Sequence, residues 1–160
     1  MATVVRQRRD AGRIPALAAG LFGIALATWV PPVQAATPAV DGVWVTEKAE
    51  ARIRIAPCGA AQCGTIVGLK QPNDPDTGRP ATDVNNPDPT KRQRPLIGLT
   101  ILEDLVPQKD GSGWKGRVYN SENGEIYDVT LTLEGPDQLH VEGCLFVLCS
   151  GETWRRVEEK

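Results

Sequence analysis

From Gly42 onward, apolar and polar positions alternate in short runs, separated by clusters of Gly, Pro, Asn and Asp. Ile53 and Ile55 fall on one side of their run and Arg52 and Arg54 on the other. Tyr127, Val129, Leu131 and Leu133 oppose Asp128, Thr130 and Thr132 in the same way. A period of two is the signature of a strand with one buried face and one wet face. Eight such segments are expected, near 42–47, 51–56, 64–69, 99–105, 113–119, 126–133, 139–143 and 153–157.

The connections set their order. Lys48-Ala49-Glu50, Glu122-Asn123-Gly124 and Gly135-Pro136-Asp137 carry the residue types that tight turns need, so sequence neighbours are expected to pair antiparallel. A meander of about eight strands closes most economically into a barrel, because closure removes the exposed edges. The fold class expected is therefore all-β, an antiparallel meander closed into a barrel. The polar stretch from Gln71 to Pro95 is too long for a hairpin turn and reads as a separate ordered loop or a lid.

The first 35 residues have a different pattern. Arg6, Arg8, Arg9 and Arg13 precede an apolar run from about Ile14 to Val30, and Val33-Gln34-Ala35 supplies small residues where a signal peptidase would cut. This reads as a Sec-type signal peptide, 1–35, followed by one domain, 36–160, in the periplasm or outside the cell. A retained anchor is the alternative, since the run approaches bilayer length. Gly20, Gly23, Pro15 and Pro31-Pro32 weigh against it. Arg8-Arg9 resembles a twin-arginine signal, but Asp10-Ala11-Gly12 follows where such signals turn apolar. No transmembrane segment is expected after cleavage.

Of 160 residues, removing 35 leaves 125, enough for one core and not for two. The chain has 18 basic and 20 acidic residues, and the leader takes four arginines and one aspartate, so the remainder has 14 against 19, a net charge of −5. That balance disfavours nucleic acid and anionic membrane as partners.

Four cysteines form two like-spaced pairs, Cys58 with Cys63 and Cys144 with Cys149. In an exported chain an even count reads as disulfides. Spacing leaves three connectivities open. Each pair falls at a strand-to-strand corner, so two local bridges are the leading expectation, with a four-cysteine zinc site as the alternative.

Ordered motifs along the chain resemble a known family. They are Gly42-Val-Trp44, Cys58 with Gln62-Cys63-Gly64-Thr65-Ile66-Val67-Gly68, Asp83-x-Asn85-Asn86-Pro87, Arg94-Pro95-Leu96-x-Gly98-Leu99, Trp114-x-Gly116, Tyr119-Asn120 with Gly124 and Tyr127, Gly143-Cys144, and Thr153-Trp154-x-Arg156-Val157. Together they resemble the domain of unknown function 2147 family of exported bacterial proteins, which is similar in fold to lipocalins. The resemblance implies an eight-stranded barrel and supplies no catalytic residues. It also implies structural parts for Trp44, plugging one end of the barrel, and Arg156, packed across the indole with Trp154 on the same strand face. Asp83 and Asn86 are read as structural members of the polar loop.

No catalytic constellation is visible. The one histidine, His140, alternates away from Leu139 and Val141 and is expected on the outer face. No nucleophile elbow or phosphate loop is present, and nothing singles out a carboxylate pair for hydrolysis. The expectation is a binding protein rather than an enzyme, with no cofactor and no metal. Asp74, Asp76, Asp83, Asn85, Asn86 and Asp88 could supply oxygen ligands to calcium, but Gly78 breaks the helix-loop-helix spacing, and Asx turns are the commoner use of such runs.

An eight-stranded barrel is wide enough either to be filled or to hold one small ligand. The leading expectation is a small apolar or amphipathic ligand, lined by Ile53, Ile55, Val118, Tyr127, Val129 and Leu131, with Arg94 near the mouth. The alternative is a filled barrel acting as an envelope-structural or protein-interaction module.

Overall fold

The computed structural model describes residues 39–158, so the expected signal peptide lies outside the described residues. Eight strands follow in order: β1 (Gly42–Val45), β2 (Ala51–Cys58), β3 (Ala61–Leu69), β4 (Thr100–Pro107), β5 (Trp114–Asn120), β6 (Glu125–Gly135), β7 (Gln138–Leu145) and β8 (Leu148–Val157). Each pairs antiparallel with its sequence neighbour, and β1 pairs with β8 to close the barrel. One 3-10 turn, Pro89–Lys91, interrupts the connection between β3 and β4.

The alternation read from the sequence decides which side chains enter the barrel. Trp44 lies opposite Ile53 and next to Arg156 in the β1 ladders, while Val45 lies opposite Arg52 and next to Arg155. The inward set includes Trp44, Ile53, Ile55, Ile66, Leu102, Leu105, Leu131, Leu139 and Trp154, all buried. Removing these side chains from water is the main stabilising term, roughly 1.5–3 kcal/mol for each large one.

Several strand limits differ from expectation, and two of the differences have a clear local cause. β1 ends at Val45 because Thr46 turns back to bond the start of β2: its backbone N–H donates to the Ala51 carbonyl at 3.1 Å. β8 begins at Leu148, five residues before the expected start, because residues 148–152 ladder onto β7 despite their weak strand-forming residues.

The two ends of the barrel are unlike. Short turns at 59–60, 108–113 and 136–137 gather at the end where the chain enters at Ala39–Asp41. The turns at 46–50, 121–124 and 146–147, with the long 70–99 connection, gather at the other.

Candidate functional site

The entry end is plugged. The Trp44 indole N–H donates to the Val40 carbonyl at 2.8 Å, and Val40 is itself buried. Arg156 lies over the indole, its guanidinium carbon 4.2 Å from the ring centre. Its Nε donates to the Pro136 carbonyl at 2.7 Å, its Nη2 to the Ala39 carbonyl at 2.8 Å, and its Nη1 to the Asp41 carbonyl. Arg156 is thus held by three backbone acceptors and serves as a floor for the barrel, the part the sequence motif implied.

Above that floor the interior divides into two zones. Ile53, Ile55, Val129 and Leu131, four of the residues expected to line a ligand, are between 0 and 2% exposed. They are packed against one another and form core, so the expected lining is corrected for these four. Higher up, the inward positions Val118, Tyr127, Gly143 and Glu152 are all only half-buried. Register pairs Val118 with Tyr127 across β5–β6, while Gly143 faces Val129 across β6–β7 and Glu152 faces Val141 across β7–β8. A Cβ on Gly143 would sit 3.8 Å from Tyr127 Cβ and from Val118 Cγ1, so the three line one space.

Polar contacts accompany these positions. The Trp154 indole N–H donates to Glu152 Oε1, holding one carboxylate inside the barrel. The Tyr127 hydroxyl donates to Glu125 Oε2 at 3.1 Å and accepts from Asn123 Nδ2 at 2.6 Å. Glu152 was not anticipated. Its signal was available, since it stands two residues before the inward Trp154, but the last strand was expected to begin only at Thr153.

The seventh expected ligand residue, Arg94, is committed elsewhere. Its Nε and Nη2 donate to Asp83 Oδ2 at 2.9 and 2.8 Å, and its guanidinium lies 5.5 Å from the Tyr119 ring centre. Asp83, fully buried, also accepts from the Tyr119 hydroxyl at 2.7 Å and from Asn86 Nδ2 at 2.7 Å. Burial alone pushes the Asp83 carboxyl upward, but the bonds from Tyr119, Asn86 and Arg94 together outweigh it and hold its pKa below the usual aspartate value. Burial and the adjacent carboxylate push the Tyr119 phenol up.

This network pins the 70–99 connection to β5. Asn85 Nδ2 adds bonds to the Ser121 and Glu122 carbonyls at 3.3 and 2.9 Å. Gly124 takes φ +76°, and a side chain there would strike the Asn85 carbonyl. The loop is therefore an ordered strap on the β5–β6 hairpin.

The loop carboxylates considered for calcium turn onto their own segments. Asp74 Oδ1 accepts from the Thr77 amide and hydroxyl, both at 2.8 Å, and Asp88 Oδ1 from those of Thr90 at 2.9 and 2.7 Å. The bonds from Thr77 and Thr90 lower the pKa of Asp74 and Asp88 respectively. The cysteines form two bridges, Cys58–Cys63 and Cys144–Cys149. His140 faces Thr132 across the ladder, and its imidazole covers Gly151, where an added Cβ would lie 2.8 Å from Cε1. A groove of about 620 Å³ lies at the rim and outer face of the barrel, lined by Val45, Arg52, Gly68, Lys70, Val157 and Glu158 among others.

A closed antiparallel meander of eight strands with one end plugged defines a lipocalin-like barrel. The chain belongs to the DUF2147 family, described as an uncharacterized protein conserved in bacteria, whose model matches residues 42–156. Among solved structures it is similar to protein HP1028 from the human pathogen Helicobacter pylori, described as belonging to the lipocalin family. That similarity has a TM-score of 0.64 at 20% identity and covers 77% of this chain and 86% of the other. It shows the fold alone. No curated protein matches the chain.

Proposed function

We propose that the protein is a binding module that takes a small amphipathic molecule into the upper cup of its barrel. One observation carries this reading: the inward residues Val118, Tyr127, Gly143 and Glu152 stay half-exposed, although the inward residues beneath them are sealed. An apolar segment of the ligand packs on Val118 and the tyrosine ring. The Glu152 carboxylate, facing inward in a partly dry setting, favours a cationic or hydrogen-bond-donating head over an anionic one.

The role is binding rather than catalysis. His140 supports this reading, since it lies on the outer face against Gly151 and away from the cup. Two disulfides support a setting outside the cytoplasm. Among the described residues no helix is long and apolar enough to cross a membrane.

The sealed floor favours a second reading, in which the barrel is a scaffold and its rim meets another protein. Native mass spectrometry of protein purified from cell extract without detergent separates the two. A released stoichiometric amphiphile supports the carrier. A bare protein mass, with no uptake of added cationic amphiphile, supports the scaffold.

A further inference from the structure

The outer face of β7 carries His140, Glu142 and Cys144 in a row, because residues two apart on a strand point the same way while Leu139 and Val141 turn into the core. Cys149 stands directly opposite Cys144 on β8, with Cα atoms 4.1 Å apart. None of these four outward residues belongs to the core cluster. The ladder, rather than the bridge, keeps the two cysteines face to face. β7 pairs with β8 without interruption from Gln138–Arg155 to Leu145–Leu148, so both sulfurs stay at facing positions when the bond between them is opened. Cys149 is exposed and Cys144 half-buried, so a reductant reaches the bond from solvent. Cys58 and Cys63 are placed differently, each facing an alanine, Ala61 and Ala56 respectively.

Metal-ligating groups gather beside this second bridge. Glu142 Oε1 lies 4.0 Å from Cys144 Sγ, and a carboxylate oxygen and both sulfurs fall within 4.8 Å of one another. Ligand atoms around a tetrahedral zinc, with bonds of about 2.0–2.3 Å, sit roughly 3.3–3.8 Å apart, a closure that side-chain rotation supplies. His140 has Thr153 as its ladder partner, yet its ring lies over Gly151, two positions nearer the bridge and directly opposite Glu142. An added Cβ at Gly151 would lie 2.9 Å from Nε2, so glycine is what admits the imidazole there. Four residues separate Cys144 from Cys149, the upper limit of the usual spacing in a zinc-binding hairpin. Asp128, opposite Cys144 on β6, adds negative potential to the same face, and Arg117, opposite Asp128, is engaged by Asp104 at 2.7 Å.

We infer that the Cys144–Cys149 bridge is the closed form of a redox-gated zinc site whose ligands are Cys144, Cys149, Glu142 and His140. A dithiol opens it: two electrons and two protons pass to the two sulfurs, the dithiol becomes a disulfide, and the protein gains two thiols. Zinc then takes both sulfurs as thiolates, their two protons leaving to solvent, together with the carboxylate and the neutral imidazole. Two thiolates with one nitrogen and one oxygen suit zinc, whereas calcium and magnesium take oxygen ligands. The site lies on the outer wall of the barrel and is independent of the amphiphile cup.

The test titrates cobalt(II), then competing zinc, into protein expressed from its full chain, either oxidised or reduced with a phosphine and freed of it without air. The reduced protein should take up one cobalt with a thiolate-to-metal absorption band that zinc removes, and zinc should raise its thermal melt. The oxidised protein should show neither effect. C144S/C149S should abolish the band, and C58S/C63S should keep it. Glu142→Ala and His140→Ala should each weaken binding at least about tenfold while leaving the melt of the metal-free protein unchanged. Alkylation mapped by mass, which needs no variant, should find Cys144 and Cys149 shielded by zinc while Cys58 and Cys63 react. No uptake on reduction, equal uptake by oxidised protein, a band that survives C144S/C149S, or zinc shielding of Cys58 and Cys63 instead would overturn the site. Unchanged affinity in either alanine variant would overturn the ligand set.

Discussion

The Arg156 guanidinium lies over Trp44, its carbon 4.2 Å from the ring centre, while three of its nitrogens reach three backbone carbonyls. Only a planar fork can stack and donate in several directions at once. Arg156→Lys keeps the charge and loses both features, so it should destabilise the fold by about 2 kcal/mol. Denaturant unfolding, with the slope unchanged, measures this. Gly42→Ala should act on the same plug, since the added Cβ would lie 2.5 Å from Arg156 Nη1.

Asp83 ties the loop to the barrel and makes stability depend on acid. Its folded pKa is lowered, so its contribution is present above the ordinary aspartate pKa and is lost as pH falls through the depressed value. Melting temperature should therefore drop below about pH 4, near the unfolded aspartate pKa. Asp83→Asn should flatten that slope. Asp83→Ala, which strands Arg94, Asn86 and Tyr119 around a lost acceptor, should cost about 3 kcal/mol at neutral pH. Tyr119 has the opposite sign: its raised pKa favours the folded state below pH 10 and withdraws that support as pH climbs through the folded value.

Each disulfide closes a loop of sequence separation 5. Restricting so short a loop is worth about 2 kcal/mol in the chain-entropy account. The ladders between β2 and β3 and between β7 and β8 run through both cysteine pairs, so the reduced protein should stay folded at lower stability. Guanidinium titrations with and without reductant check the shift, and the intact mass should fall short of the reduced mass by four hydrogens.

Glu152→Gln leaves an acceptor for the Trp154 indole and removes the charge. Stability should change little, while affinity for a cationic amphiphile should fall about tenfold. Calorimetric titration of the two proteins with one alkyl-ammonium probe measures it, and unchanged affinity would remove Glu152 from the head-group role.

The alternation of Ile53 and Ile55 against Arg52 and Arg54 made the barrel legible, because a period of two requires only neighbours in sequence. The Trp44 and Arg156 plug was legible through motif, and the two bridges through cysteine spacing at hairpin corners. Burial of the expected lining residues was not legible: Val118 and Tyr127 stay half-buried, whereas Ile53, Ile55, Val129 and Leu131 are sealed in the core. Depth within a barrel depends on how far each strand slides against the next, and no local pattern encodes that slide.

By itself, then, the sequence determined the strands, their antiparallel order, the barrel's closure and the identity of its buried faces, all consequences of short-range periodicity and turn chemistry. Tertiary structure alone decided that Asp83 meets Tyr119 across 36 positions, that Arg94 serves the strap rather than the mouth, and that Glu152 enters the cup. It also extended β8 through Cys149-Ser150-Gly151, where pairing with β7 overrides weak local preference. These are choices of register and packing, made between segments far apart in the chain, where the free energy depends on partners that no single segment contains.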